Sequence, residues 1–172
     1  MQRRDFIKSI STAAVLTAAP KIYSSAEPKT KIKPPRLKPG DTLGLIAPGS
    51  YISEDELKDS KENLEKLGYK VLYNDRILSR TGYLAGTDES RAEEVNSIFA
   101  DKKVNGIICA RGGYGCSRIL PLLDYELIKN NPKILIGYSD ITALLNAIYS
   151  ETGLVTFHGP VGISSFNDFH AH

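Results

Sequence analysis

Tryptophan is absent from this 172-residue chain, methionine occurs once, cysteine twice and histidine three times. The two cysteines, Cys109 and Cys116, have no histidine or further cysteine at ligand spacing, which argues against a zinc site. Nothing in their placement demands a disulfide: Cys109 ends an apolar run and Cys116 follows a glycine-rich bend, as two buried structural thiols would. A basic stripe is also missing. The formal net charge is +2, residues 1–26 carry +3 of it, and the remainder is close to neutral, so no phosphate backbone is an expected partner. Long hydrophobic runs are lacking too. The stretch from Ile10 to Ala19 falls short of the roughly 20 apolar residues a bilayer span requires. No internal repeat or low-complexity tract is present. What remains, 41% hydrophobic and 24% charged residues, is the composition of one packed globular domain.

The first residues read as an address. "MQRRDFIKSISTAAVLTAAP" places Arg3 and Arg4 before a weakly apolar run, and Ser24-Ser25-Ala26 supplies small residues for a signal peptidase. The segment resembles a twin-arginine export signal over residues 1–26, which implies a periplasmic protein. Pro20 and the Pro-rich residues 27–36, expected to be a linker, argue against an amphipathic first helix instead. No cysteine near the cleavage point indicates a lipid anchor.

From Asp41 the pattern alternates strand and helix. "DTLGLIAPG" reads as a strand, and "SEDELKDSKENLEKLG" as a helix with Leu57, Leu64 and Leu67 at helical spacing, a Ser53 cap answered by Glu56, and Gly68 as a stop. "YKVLYN" is a second strand, followed by a long loop, "DRILSRTGYLAGT". "DESRAEEVNSIFAD" is a helix with Ala92, Val95 and Phe99 facing inward, and "VNGIICA" a third strand. A short helix curtailed by Pro121, a further helical turn at "YELIKNN", a strand at "KILIGY", a helix at "DITALLNAIYSETG" and a strand at "LVTFHG" complete the order. Continuous apolar strands alternating with helices predict an α/β fold: a doubly wound, mostly parallel sheet with helices on both faces, flavodoxin- or Rossmann-like. Right-handed crossovers then bring three turns to one sheet edge, where ligands bind in such folds: Ala47–Ser50, Arg111–Gly115 and Gly137–Asp140.

The chemistry at that edge is suggestive. "ARGGYGCSR" fails the dinucleotide spacing, since Arg118 stands where the third glycine belongs, and no Walker lysine-serine pair follows. Glycines there can instead turn backbone N–H groups toward an anion or a developing oxyanion. "IGYSD" partly meets the strand–nucleophile–helix elbow, with Ile141 in place of its last glycine. Ser139 is therefore either a nucleophile or a helix N-cap.

Taken in order, "LKPGDTLGLIAPGS", "GIICARGGYGCSRILPLLD" and "PKILIGYSDITALLNAIYSETGLVTFHGP" resemble the N-terminal half of the LD-carboxypeptidases, serine peptidases that trim murein tetrapeptides, and of their microcin-immunity relatives. The likeness runs from about Leu37 to Pro160, with the nucleophile domain expected over 37–160. Gly49 departs from it, since family members often carry serine there. The resemblance implies that Ser139 is the nucleophile and that the backbone N–H groups of Gly113 and Asp140 form the oxyanion hole. Arg111 and Gly112 are the candidate substrate contacts, with a solvated strand-end charge as the rival role for Arg111. No metal or cofactor is implied.

The family draws its general-base Glu and His from a C-terminal domain. None of His158, His170 and His172 matches that histidine, and Glu151 falls at the far end of its helix. His158 ends the fifth strand, where it either lines the cleft or, as the preferred reading, packs as a strand-end residue. Residues 161–172 show neither alternation nor helix period and are expected to be a loosely packed, truncated link toward that missing domain. The expectation is thus half an active site, inactive alone, acting on the L–D amide before a terminal D-alanine. Its expected partners are a murein peptide and the missing domain, with a homodimer left open. The rival is a non-catalytic periplasmic domain that binds peptide or sugar at the same edge.

Overall fold

The structure, a computed structural model, describes residues 30–163. The export signal of residues 1–26 and the tail histidines His170 and His172 lie outside the described residues.

Five short strands form one sheet: β1 (Thr42–Ile46), β2 (Lys70–Leu72), β3 (Gly106–Cys109), β4 (Ile134–Gly137) and β5 (Phe157–His158). Their order is β2-β1-β3-β4-β5 and every pairing is parallel. The expected parallel α/β sheet is present, in the flavodoxin-like order. Alternate side chains serve opposite faces. Leu43 and Leu45 of β1 and Ile108 of β3 join one apolar cluster, while Ile46, Ile107 and Cys109 join the other.

The helices are α1 (Glu54–Lys66), α2 (Asp88–Ala100), α3 (Cys116–Ile119), α4 (Tyr125–Asn130) and α5 (Ile141–Thr152). Helix α1 starts at a complete capping box, in which Ser53 N–H donates to Glu56 Oε2 at 2.8 Å and Glu56 N–H to Ser53 Oγ at 3.2 Å. Its Leu57 and Leu64 cover the Leu45 face of the sheet. Ala92, Val95 and Phe99 of α2 and Ile141, Leu144 and Ile148 of α5 cover the other face. Burying each such side chain contributes about 1.5–3 kcal/mol. Pro121 lies in a 3₁₀ turn, Leu120–Leu122, that directly follows α3.

Three placements differ from expectation. Leu67 ends α1 as its C-cap and is half exposed, because the helix has stopped before another turn could carry it inward. Within the stretch read as linker, Ile32 pairs in parallel with Leu154, and its N–H donates to Gly153 at 2.9 Å. Residues 161–163 are not loose. Gly162 N–H donates to the Cys109 carbonyl at 2.9 Å and Ile163 N–H to that of Ala110 at 3.1 Å, while Val161 is buried. The carbonyls at the end of β3 supply the acceptors that this stretch needs. No helix among the described residues is long and apolar enough to cross a membrane.

Candidate active site

The chain leaves β4 at Gly137 and enters α5 at Ile141, so Tyr138, Ser139 and Asp140 make the whole turn. Ser139 has φ +63°, the one non-glycine residue with positive φ among those described. That conformation costs an L-residue about 1–2 kcal/mol and persists only where surrounding structure enforces it. Ser139 is not the N-cap. That position belongs to Asp140, and the Ser139 carbonyl instead accepts the Thr142 N–H at 2.9 Å. The Ser139 hydroxyl makes no hydrogen bond within the described residues, so the strain is not offset by capping.

The neighbouring turn explains the constraint. A methyl group on Gly112 would lie 2.9 Å from Ser139 Cβ, 3.3 Å from its Oγ and 3.1 Å from the Tyr138 carbonyl. Only a residue without Cβ lets the β3 and β4 turns come this close. Gly113 has φ +105°, and a Cβ there would fall 2.2 Å from Ser50 Oγ. Ser50 in turn stitches the β1 turn to the glycine turn: its N–H donates to the Gly112 carbonyl at 3.2 Å, and its Oγ accepts the Tyr114 N–H at 3.1 Å. The N–H groups of Gly113 and Asp140 have no hydrogen-bond partner within the described residues.

Gly49 is equally constrained. A side chain there would meet the Gly112 carbonyl at 2.8 Å and Asp140 Oδ2 at 3.2 Å, so its departure from the family pattern comes with a close approach of the three turns. Asp140 does more than offer a backbone N–H, since its Oδ2 accepts the Cys116 N–H at 2.9 Å and holds the start of α3. Arg111 is not a free strand-end charge. Its Nη1 pairs with Glu56 Oε1 at 3.2 Å, both side chains are about one-third exposed, and the Tyr51 carbonyl accepts from it at 3.4 Å. His158 corrects the sequence reading. It is exposed, because β5 is the edge strand, and its ring stands edge-on to Tyr138 with centroids 6.4 Å apart. Glu151 sits at the far end of α5, as expected. Ser139, Gly112, Gly113, Gly49, Ser50 and Asp140 thus meet at the carboxyl ends of β1, β3 and β4, beside the β1/β3 switch point where folds of this order bind ligands. The cavity of about 310 Å³ lined by Arg36, Asn105 and Lys133 opens at the opposite strand edge and takes no part.

Beneath the turns lie two charged residues that sequence periodicity did not single out. Glu94 is buried, and its Oε2 accepts the Ala47 N–H at 3.0 Å, while Oε1 has no partner among the described residues. Burial pushes its carboxyl up to about 7, against the opposing pull of the Ala47 N–H. Arg91 is 1% exposed. Its Nη1 donates to the carbonyls of Pro48 and, at 3.1 Å, Gly115; its Nη2 meets Asp88 at 2.5 Å. Asp88, held chiefly by the Arg118 guanidinium, lies below the usual carboxylate range. Cys109 and Cys116 are free and buried, and burial pushes both thiols well above their ordinary value, which keeps them unreactive.

A parallel α/β sheet with a strained serine at a strand-to-helix turn, facing a glycine turn, has the geometry of a nucleophile elbow. Sequence comparison makes this particular: residues 43–159 match the LD-carboxypeptidase N-terminal domain, and the chain belongs to that family. It is 45% identical over 129 residues to a probable murein peptide carboxypeptidase of Bacillus subtilis, covering 75% of this chain and 40% of that protein. To the microcin C7 self-immunity protein MccF of Escherichia coli it is 40% identical over 133 residues, covering 75% and 38%. Among solved structures, an MccF-like protein from Bacillus anthracis superposes with a TM-score of 0.73 at 36% identity, over 77% of this chain and 41% of that one. A muramoyltetrapeptide carboxypeptidase from Oxalobacter formigenes gives 0.67 at 31%, over 76% and 44%. The chain spans about two-fifths of the length of these curated relatives.

Proposed function

We propose that this chain supplies the nucleophile and oxyanion hole of an exported serine LD-carboxypeptidase acting on murein tetrapeptides. The observation that carries the reading is the strained backbone of Ser139, φ +63°, pressed against Gly112 with its hydroxyl unengaged. A serine serving only as a cap has no use for that strain.

The chemistry follows from the geometry. Ser139 Oγ attacks the carbonyl of the L–D amide and gives its proton to a general base. The carbonyl oxygen gains the negative charge, and the N–H groups of Gly113 and Asp140 receive it; losing one such donor costs about 3–4 kcal/mol. The leaving D-alanine nitrogen takes a proton as the C–N bond breaks, and water then hydrolyses the acyl-enzyme. The base is, as the family resemblance implies, the Glu and His of a second domain; within the described residues no carboxylate or imidazole is hydrogen-bonded to Ser139. Arg111, one-third exposed and tethered by Glu56, is a secondary contact for a substrate carboxylate.

The test is D-alanine release from a murein tetrapeptide. The 172-residue chain should turn over negligibly, and joining the C-terminal part of the Bacillus subtilis relative should produce turnover that Ser139→Ala abolishes. Loss of a triad member typically costs about four to six powers of ten in kcat. Robust Ser139-dependent turnover by the chain alone would place a base within it, with His158 the first suspect. Turnover that survives Ser139→Ala would end the nucleophile reading.

A further inference from the structure

We propose that Arg91 is the positioning residue of this site: it sets the spacing between the β1 turn and the glycine turn, and so holds the Gly113 N–H in place against Ser139. This rests on the nucleophile reading above and goes beyond it.

The argument begins with cost. An arginine guanidinium cannot shed its charge, so burying it to 1% exposure demands partners on nearly every N–H. Arg91 finds partners for Nη1 and Nη2 on two different strand-end turns and on Asp88, while its buried Nε has none among the described residues. Its Nη1 is shared between Pro48, after β1, and Gly115, after β3, while Nη2 is anchored by Asp88 one helical turn earlier. These two turns are also the ones joined by Ser50. Ser50 and Arg91 therefore tie the glycine turn to the β1 turn at two places, Gly112–Tyr114 and Gly115.

The fit is close. A methyl group on Gly115 would lie 3.3 Å from Arg91 Nη1 and 2.6 Å from Leu84, so the turn packs directly on both side chains. Asp88 carries the same bracing outward, since its Oδ2 accepts from Arg118 Nε at 2.9 Å and Nη2 at 2.7 Å, which fixes α3 to α2. Glu94, further along α2, holds Ala47 N–H in the same β1 turn. One face of α2 thus holds the backbone of both turns, with Nη1 on the two carbonyls and Nη2 on Asp88, three partners that a lysine would have to serve from one nitrogen. Gly113 stands two residues before the held Gly115 carbonyl and packs against Ser50, and a shift of about 1 Å in such a donor is enough to cost about 100-fold in rate.

The test uses the 172-residue chain with Arg91→Lys and, as a second variant that leaves the buried arginine in place, Asp88→Asn. Amide hydrogen exchange is read at Ser50 and Tyr114, whose N–H bonds cross the two turns, and at Ile108 inside β3. In parallel, Ser139 is labelled at pH 9 with a fluorophosphonate, where hydroxide takes the serine proton and fluoride leaves, so no protein base is required. Arg91→Lys should speed exchange at Ser50 and Tyr114 at least 10-fold more than at Ile108, and slow labelling per folded molecule at least 10-fold. Asp88→Asn should do the same to a smaller degree. A uniform rise in exchange at all three amides would show a merely structural role and overturn the proposal, as would local loosening with unchanged labelling. If Arg91→Lys does not fold, Asp88→Asn decides by the same two readings. Wild-type Ser139 labelled no faster than a serine in an unstructured peptide would refute the nucleophile reading instead, while the exchange pattern would still judge the Arg91 tie.

Discussion

Glu94 makes the stability of this protein depend on pH with a sign opposite to that of an ion-paired carboxylate. Burial raises its carboxyl from an ordinary 4.5 to about 7, so between these values the folded chain holds a proton that the unfolded chain has released. The stabilisation is fully present below about pH 4.5 and is lost as pH rises to about 7, beyond which this group adds no further slope. At about 1.4 kcal/mol per tenfold change in proton affinity, the full effect is at most about 3.5 kcal/mol. Glu94→Gln removes the titration yet keeps a carbonyl oxygen for the Ala47 N–H. It leaves an amide donor where Oε1 has no partner, which costs about 1–3 kcal/mol at every pH. Urea unfolding of both proteins from pH 4.5 to 8 separates the two effects. The wild-type advantage over the variant should shrink steadily up to about pH 7 and then level off. A difference that stays constant across the range would refute the argument, because it would mean that Glu94 ionises alike in both states.

Ser139→Gly should raise stability by about 1 kcal/mol, since glycine adopts positive φ without strain, while abolishing fluorophosphonate labelling; a destabilised variant would show that the serine side chain contributes packing instead. Gly113→Ala, which combines φ +105° with a Cβ placed 2.2 Å from Ser50 Oγ, should lose at least about 2 kcal/mol in a thermal or urea melt, and unchanged stability would show that the turn can rearrange. For export, residues 1–26 fused to a folded reporter should carry it to the periplasm and fail to do so with Arg3 and Arg4 both changed to Lys. Unimpaired export of that variant would refute the twin-arginine reading.

Local physics made much of the fold legible. Strand-length apolar runs, the Ser53–Glu56 box and the inward stripe of Ala92, Val95 and Phe99 each depend on residues a few positions apart, and each appears as the pattern predicts. The same patterning brought Ser139 and the glycine turn to one sheet edge before any coordinates, because parallel crossovers leave the strand-to-helix turns no other edge. What periodicity could not reach is set by contacts between distant segments. Whether Ser139 caps its helix or stands off it was decided by Gly112, 27 positions earlier in the chain, whose missing Cβ lets one turn press on the other. Ser50 became a stitch only because Tyr114 was brought beside it, and Arg111 an ion pair only because Glu56 was. Arg91 and Glu94 look like ordinary exposed helix charges in the sequence. Their burial is stable because the folded β1 and β3 turns supply backbone carbonyls and an N–H that do not exist as a site until the sheet has formed.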